Sequence, residues 1–273
     1  MQTATQIKEL LASRGLSPRK SLGQNFLIDH NLIRRLVEAS GVGAGDVVLE
    51  VGPGTGTLTE ELLARGCAVV ACELDHGLAA LLRERLAAHA AAGRFTLVEG
   101  DCLASKRALS PDVVAALGGR AFRLVANLPY GAASPLMLAL LCEHPACGSM
   151  HVTIQREVAD RLLAAPGTEH YGTLGVVAQA VAGVTRVAAL PPECFWPRPE
   201  VTSAMVSIAR RAAPLTDDTR RLAEFCTRVF GARRKQLGTI LGRKTPLPPG
   251  IGPGQRAEDL NVEQLIALSR VPV

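Results

Sequence analysis

The chain has 273 residues, 48% of them hydrophobic and 20% charged. That composition excludes a disordered or collagen-like polymer and leaves enough apolar surface for one large domain, or one large and one small. The net charge of +5 is uneven: residues 1–35 hold six Lys/Arg against two Asp/Glu, residues 36–210 hold 13 against 17, and residues 211–273 hold 11 against six.

Two basic ends on a slightly acidic body point to a polyanionic partner. Arg19, Lys20, Arg34 and Arg35 belong to the first of them. The first thirty residues have no long apolar stretch before a small-residue cleavage site, so no secretory leader is expected. From Asp46 onward, short apolar runs alternate with helical stretches. Strands are expected at Val47–Val51, Ala68–Cys72, Phe95–Val98, Phe122–Ala126, Met150–Gln155 and Val201–Ile208. Helices are expected at Thr57–Arg65, Leu78–Ala92 and Pro135–Glu143. This alternation argues for an α/β fold: an open, mostly parallel sheet with helices on both faces. The run from Leu174 to Leu190 is too short for a membrane span and is broken by Gln179 and Arg186.

The pattern changes near Arg210. Helices are expected at Asp217–Phe230, Arg234–Leu241 and Val262–Ser269, with a Pro/Gly loop from Pro246 to Gly254. Residues 1–210 therefore read as the α/β domain with a basic leading segment, and residues 211–273 as a small, basic, all-helical domain. Seven cysteines, an odd number without a Cys-x-x-Cys pair, read as reduced thiols in a cytoplasmic protein. Cys142 and Cys147 lack a second ligand pair at finger spacing, so no metal is expected.

The first strand runs into Gly52-Pro53-Gly54-Thr55-Gly56, and Glu73 ends the next strand. In open α/β sheets ligands bind beyond the carboxyl ends of the strands, where glycines let the backbone approach closely. A carboxylate at Glu73 can accept hydrogen bonds from both ribose hydroxyls of a nucleoside. Asp101, at the end of the third strand, can accept one from an adenine amine. A dinucleotide fingerprint wants Gly-x-Gly-x-x-Gly, but here the third glycine comes one residue early. That spacing, with Glu50 just ahead, looks more like the S-adenosylmethionine methyltransferases; a dehydrogenase is the alternative.

Asn127-Leu128-Pro129-Tyr130 follows the fourth strand. An exocyclic adenine amine is a poor nucleophile because its lone pair is delocalised into the ring. Two acceptors on the amine protons, the Asn127 side-chain oxygen and the Leu128 carbonyl, can favour a pyramidal nitrogen. Pro129 stiffens the turn, and Tyr130 offers a face on which an extruded base can stack. Aromatics are scarce (six Phe, two Tyr, one Trp), so Phe195 and Trp196 in a proline-rich loop also stand out.

With Leu22-Gly23-Gln24-Asn25-Phe26-Leu27 upstream, this motif resembles the small-subunit ribosomal RNA adenine dimethyltransferases, whose loss confers kasugamycin resistance. The resemblance spans nearly the whole chain: Tyr171-Gly172-Thr173-Leu174, Pro191 to Pro199, Arg233-Arg234-Lys235 and Arg256 to Leu260 follow in the family's order. It implies a Rossmann-like S-adenosylmethionine methyltransferase sheet. It also implies dimethylation of two adjacent adenosines near the 3′ end of 16S rRNA during ribosome biogenesis. By residue, it implies cofactor contacts from Asn25, Leu27, Gly52, Gly54, Glu73, Asp101 and Asn127, catalysis at Asn127 to Tyr130, and Phe195 packing on the target base. Leu22, Gly131-Ala132-Ala133 and Trp196 depart from the family's usual residues and bear on the shape of the target pocket.

Arg233, Arg234, Lys235, Arg243 and Lys244 are the candidate RNA contacts of the helical part. The expected partner is small-subunit rRNA within a pre-30S particle, bound by a monomer and away from membranes. The competing readings are a large-subunit rRNA or DNA adenine methyltransferase, and an assembly factor that binds RNA without turnover.

Overall fold

The computed structural model describes residues 2–105 and 107–272. Helix α1 (Ala4–Ala12) and a 3-10 turn (Lys20–Leu22) lead into a short strand, β1 (Phe26–Leu27), and helix α2 (His30–Ser40). The alternating part follows as β2 (Val47–Val51), α3 (Thr57–Ala64), β3 (Ala68–Glu73), α4 (His76–Arg85), α5 (Ala87–Ala91) and β4 (Phe95–Glu99). A hairpin of β5 (Leu103–Ser105) and β6 (Ala108–Leu109) precedes α6 (Pro111–Leu117), β7 (Phe122–Asn127), α7 (Tyr130–Glu143) and β8 (Cys147–Gln155). Next come α8 (Arg156–Leu163), α9 (Thr173–Val181), β9 (Ala182–Leu190), β10 (Phe195–Trp196) and β11 (Ser203–Arg210). Helices α10 (Thr219–Gly231), α11 (Leu237–Leu241) and α12 (Val262–Ser269) complete the chain.

Seven strands form one sheet in the order β4-β3-β2-β7-β8-β11-β9. The first five are parallel, and β11 runs antiparallel to both β8 and β9. The chain builds outward from β2 to β4 and then returns to β7 on the other side of β2. That reversal opens a crevice beyond the carboxyl ends of β2 and β7. The expected mostly parallel sheet is therefore present, with its antiparallel strands confined to one edge.

Side chains alternate across the sheet, as strand geometry requires. Leu49, Val70, Leu124, Val152 and Val206 face a core that also holds Leu136, Val176, Leu222, Cys226, Val229 and Leu265. The helices after Arg210 thus share one continuous apolar cluster with the sheet. Val48, Val69, Val125 and Met205 face Ile33, Leu36 and Leu62 on the other side. A third cluster joins Ile7 and Leu11 of α1 to Phe26 and Leu78. Caps are local and legible: Asp29 accepts from the Asn31 and Leu32 amides, Asp75 from those of Gly77 and Leu78, and Asn261 forms a capping box with Gln264. No helix among the described residues is long and apolar enough to cross a membrane.

Several elements differ from expectation. The helix expected over Leu78–Ala92 is divided at Leu86 into α4 and α5. The helix expected from Pro135 starts at Tyr130, with Pro135 inside it. Proline removes only one helical donor, and the turn upstream is already held by Pro129 accepting the Ala132 amide. The apolar run from Leu174 to Leu190 divides into α9 and β9 at Ala182 without a turn residue. The helix expected over Arg234–Leu241 shrinks to Leu237–Leu241, leaving Arg233 to Lys235 in the turn after α10.

Arg210 ends β11 and fastens it to the C-terminus of α7. Its guanidinium donates to the carbonyls of Leu140 (2.8 Å), Leu141 (3.1 Å), His144 (3.2 Å) and Cys147 (2.8 Å). The Leu141 carbonyl is one that a helix end leaves without an internal partner, since the residue four positions on is Pro145. Arg210→Met is expected to cost roughly 1.5–3 kcal/mol, the range for charged hydrogen bonds. Urea unfolding checks this: an unchanged midpoint at unchanged slope rejects the role.

Candidate active site

After Val51 the backbone turns through Gly52, Gly54 and Gly56, all with positive φ (71°, 62° and 88°). Two of these glycines are also sterically required. A Cβ on Gly52 would lie 3.0 Å from the Pro129 ring, and one on Gly54 would lie 2.8 Å from the Phe26 ring. The glycine turn is therefore gripped between the Asn127–Tyr130 turn on one side and the leading segment on the other.

Glu73 ends β3 beneath this turn and is 5% exposed. One carboxylate oxygen accepts the Gly54 amide (3.1 Å) and the other the Asp75 amide (2.9 Å). Burial pushes its carboxyl above the usual range, and the backbone amides oppose that shift. Each oxygen keeps a second lone pair, which suits a pair of ribose hydroxyls. Asp101 is exposed and uses one oxygen to accept the Leu103 amide at 2.9 Å.

The Asn127 side chain donates through Nδ2 to the Asn25 carbonyl at 2.9 Å. That bond leaves Oδ1 as the free acceptor. The Leu128 amide donates to the Thr153 carbonyl (3.1 Å), and the Leu128 side chain is 2% exposed. The Tyr130 hydroxyl shares a 2.9 Å hydrogen bond with Ser203 Oγ. Asn25, Leu27, Gly52, Gly54, Glu73, Asp101 and Asn127 through Tyr130 all line one cavity of about 590 Å³. A cavity of that size is typical for a cofactor-sized ligand.

Two further lining residues carry chemistry. Glu50 is buried, accepts the Thr59 hydroxyl at 2.7 Å, and is pushed up to about 8 by burial, with the nearby Glu73 charge adding to the shift. Thr57, at the start of α3, has a buried Oγ1 without a partner among the described residues. In the sequence Glu50 only marks the motif ahead of the glycine turn, and Thr57 carries no signal of its own. A lone carboxylate inside an apolar strand was the available signal.

Phe195 needs correction. It does not line the cavity; it is 3% exposed, pairs with Leu27 across the β1–β10 ladder, and lies in the core with Ile33 and Leu58. A large aromatic beside a two-stranded ladder has apolar surface to bury, and in this structure it does so instead of presenting a face to a base. Trp196 next to it stacks on Phe26 (centroids 6.2 Å apart), with Lys8 Nζ 5.5 Å from its ring.

Arg233 needs correction as an RNA contact as well. Its guanidinium pairs with Glu258 and donates to the carbonyls of Thr168 (2.8 Å), Glu169 (2.6 Å) and Tyr171 (3.1 Å). It is an internal tie between the segment ahead of α9 and the helical part. Arg234, Lys235, Arg243 and Lys244 are exposed and form no ion pair among the described residues. At the other basic end, Arg19 pairs with Asp75 and Arg35 donates to the Val187 carbonyl, while Lys20 lies on the cavity rim.

The family described as ribosomal RNA adenine dimethylase matches residues 15–270. The chain belongs to that family. The ribosomal RNA small subunit methyltransferase A of Phenylobacterium zucineum (strain HLK1) is 39% identical over 274 residues, covering 98% of this chain and 93% of that one. The protein of the same name from Mycobacterium tuberculosis (strain ATCC 25177 / H37Ra) is 40% identical, covering 97% and 86%. Among solved structures, the 23S rRNA methyltransferase ErmE is 28% identical with a TM-score of 0.65, covering 90% of this chain and 98% of that one. A dimethyladenosine transferase from Plasmodium falciparum has a TM-score of 0.69 at 21% identity, covering 88% and 94%, a likeness of fold. The fold of this dimethylase is thus shared with known methyltransferases.

The raised carboxyl of Glu50 sets a pH dependence for the dimethylase fold. A folded value of about 8 against an unfolded 4.5 means that the folded state holds a proton the unfolded chain gives up. The associated stability is complete below about pH 4.5 and is lost as pH rises through about 8. Glu50→Gln is expected to lose less stability between pH 5 and pH 8 than the parent. Urea unfolding at both pH values tests this, and parallel losses in the two proteins reject it.

Proposed function

We propose that this chain dimethylates the exocyclic amines of two adjacent adenosines near the 3′ end of small-subunit rRNA, taking its methyl groups from S-adenosylmethionine. The observation that carries the reading is the free Asn127 Oδ1 beside the glycine turn, inside the same cavity as Glu73 and Asp101. The full-length likeness to small-subunit methyltransferases, including the helical C-terminal part, supports the choice of rRNA.

The residues present fit the cofactor. Positive-φ glycines leave the turn bare of side chains, Thr57 Oγ1 is an unpartnered buried hydroxyl in the lining, and Glu73 retains acceptor capacity. Glu73 holds the ribose, Asp101 the adenine amine, and Asn25, Leu27, Gly52 and Gly54 complete the wall. When bound, S-adenosylmethionine would supply an electrophilic methyl group for the target nitrogen, its sulfur keeping the electron pair of the broken bond.

Asn127 Oδ1 accepts from the target amine and turns its lone pair toward the cofactor side of the cavity. The Leu128 carbonyl accepts the second amine proton. Tyr130 stacks on the extruded base, a contribution of about 1–3 kcal/mol. No strong base is needed, because the proton is acidic once the nitrogen is cationic. Alignment of the reacting atoms supplies much of the acceleration. The exposed Arg234, Lys235, Arg243 and Lys244 contact phosphates, so that residues 211–273 place the rRNA while the cavity selects the base. The particle context is a pre-30S assembly in the cytoplasm, met by a monomer. The likeness to ErmE gives the second reading, a large-subunit rRNA target.

Tritiated-methyl incorporation into undermethylated 16S and 23S rRNA separates these readings; label in 23S alone rejects the first. Asn127→Ala is expected to lower transfer about a hundredfold or more, as loss of a preorganised polar group does. Calorimetric cofactor affinity should stay within a few-fold, and near-normal turnover would remove Asn127 from the chemistry.

Replacing Arg234, Lys235, Arg243 and Lys244 by Ala should flatten the salt dependence of RNA binding. Each side chain that reaches a phosphate takes about 0.7–0.9 off the slope of log affinity against log salt. An unaltered slope returns these four to ordinary solvated surface.

A further inference from the structure

We propose that Ser203 is a positioning residue for Tyr130, fixing the plane of the aromatic ring before the target adenine arrives. The inference rests on the adenine methyltransferase reading above. Ser203 is the first residue of β11 and is fully buried. Its Oγ lies 2.9 Å from the Tyr130 hydroxyl. Its backbone is registered against Gln155 of β8 and Leu190 of β9, and the preceding Thr202 carbonyl accepts the Arg156 amide at 3.0 Å. The serine therefore sits at a fixed point of the antiparallel edge.

A tyrosine side chain has two soft torsions. Here the Cα end belongs to α7 and the hydroxyl end is pinned to β11. Fixing both ends closes those torsions, so the ring does not have to be ordered when a base stacks on it. The hydroxyl has no part in stacking itself, since a phenyl face would serve equally well. Its bond to a buried serine is thus explained by orientation. Burial also holds the Tyr130 phenol above its usual range, so it remains a protonated anchor and not a base. The neighbouring Leu128 amide is tied to the Thr153 carbonyl on β8. The catalytic turn is therefore moored to two adjacent strands, β8 and β11.

The test is a double-mutant cycle on the full chain with Ser203→Ala, Tyr130→Phe and the pair together. Single-turnover methyl transfer is measured on undermethylated 16S rRNA. The fluorescence of the same RNA fragment with 2-aminopurine at the target position reports stacking. Each single variant should transfer about three- to tenfold more slowly, the worth of one net hydrogen bond, and the pair no more slowly than the slower single. Both singles should quench 2-aminopurine less than the parent, with cofactor affinity within twofold. Ser203→Thr, which keeps the hydroxyl, should recover the quench. Losses that multiply in the pair, or parental transfer and quench in Ser203→Ala, overturn the proposal while leaving the methyltransferase reading intact. Failure of the parent chain itself to transfer methyl groups to either rRNA sinks that reading and this inference with it.

Discussion

The hydrogen bond from Asn127 Nδ2 to the Asn25 carbonyl decides which end of the amide faces the cavity. Without it the side chain could turn its NH₂ toward the target, and a donor there would repel the amine protons it has to accept. Much of the architecture serves this contact. The sheet order puts β7 beside β2, so that Asn127 emerges next to the glycine turn. The leading segment must then cross over that turn to bring Asn25 within reach. Gln24 fastens the crossing by accepting the Arg19 amide and donating to Asp75, the residue that also caps α4.

The crossing has a second fixed point at Phe26. Its ring lies against Gly54 and stacks on Trp196, which in turn carries Lys8 of α1 over its face. Gln2 donates to the Thr55 carbonyl at 2.9 Å, so the residues just ahead of α1 also touch the glycine turn. The β1–β10 ladder joins this segment to the proline-rich loop. Sequence separations of more than a hundred residues are thereby closed around one turn of five residues. A side chain at Gly54 would meet the Phe26 ring and separate these layers, which is why the turn needs glycine there for space as well as for its positive φ.

What could be read from the sequence follows from how local each cause is. The parallel strands were legible because burial on both faces makes them continuously apolar, and the helix at Val262–Ser269 because Asn261 and Gln264 announce its start. The start of α7 was not legible: Gly131-Ala132-Ala133-Ser134 carries no periodic signal, and Pro135 suggests a beginning where there is none. Strand β9 was hidden because α9 passes into it without a turn residue. In the site, glycines and strand-end carboxylates declare themselves by position alone, so their presence around one cavity could be anticipated. Phe195 could not be placed in the same way. Whether an aromatic in a proline-rich loop faces a ligand or the core depends on Ile33 and Leu58, which are remote in sequence.

Charge shows the same limit from another direction. Residues 211–273 hold 11 Lys/Arg, which reads as a strong electrostatic footprint. Six of them are engaged within the fold: Arg211 with the Ala182 carbonyl, Arg220 with Glu143, Arg221 with the Ser269 carbonyl, Arg228 with the Ile240 carbonyl, Arg233 with Glu258, and Arg256 with Glu258. Arginine suits such work because its planar fork can satisfy several carbonyls at once. Lysine is the poorer staple, and both lysines of this region, Lys235 and Lys244, are exposed. A count of basic residues therefore overstates the field available to a polyanion. The useful quantity is the set of cations left without internal partners among the described residues: Arg270 follows α12, and Arg234, Lys235, Arg243 and Lys244 lie in the two turns that flank α11. That short helix packs Gly238 against Pro253 and buries Leu237 and Leu241, so the two turns are held at a set separation by apolar packing and not by the charges they carry.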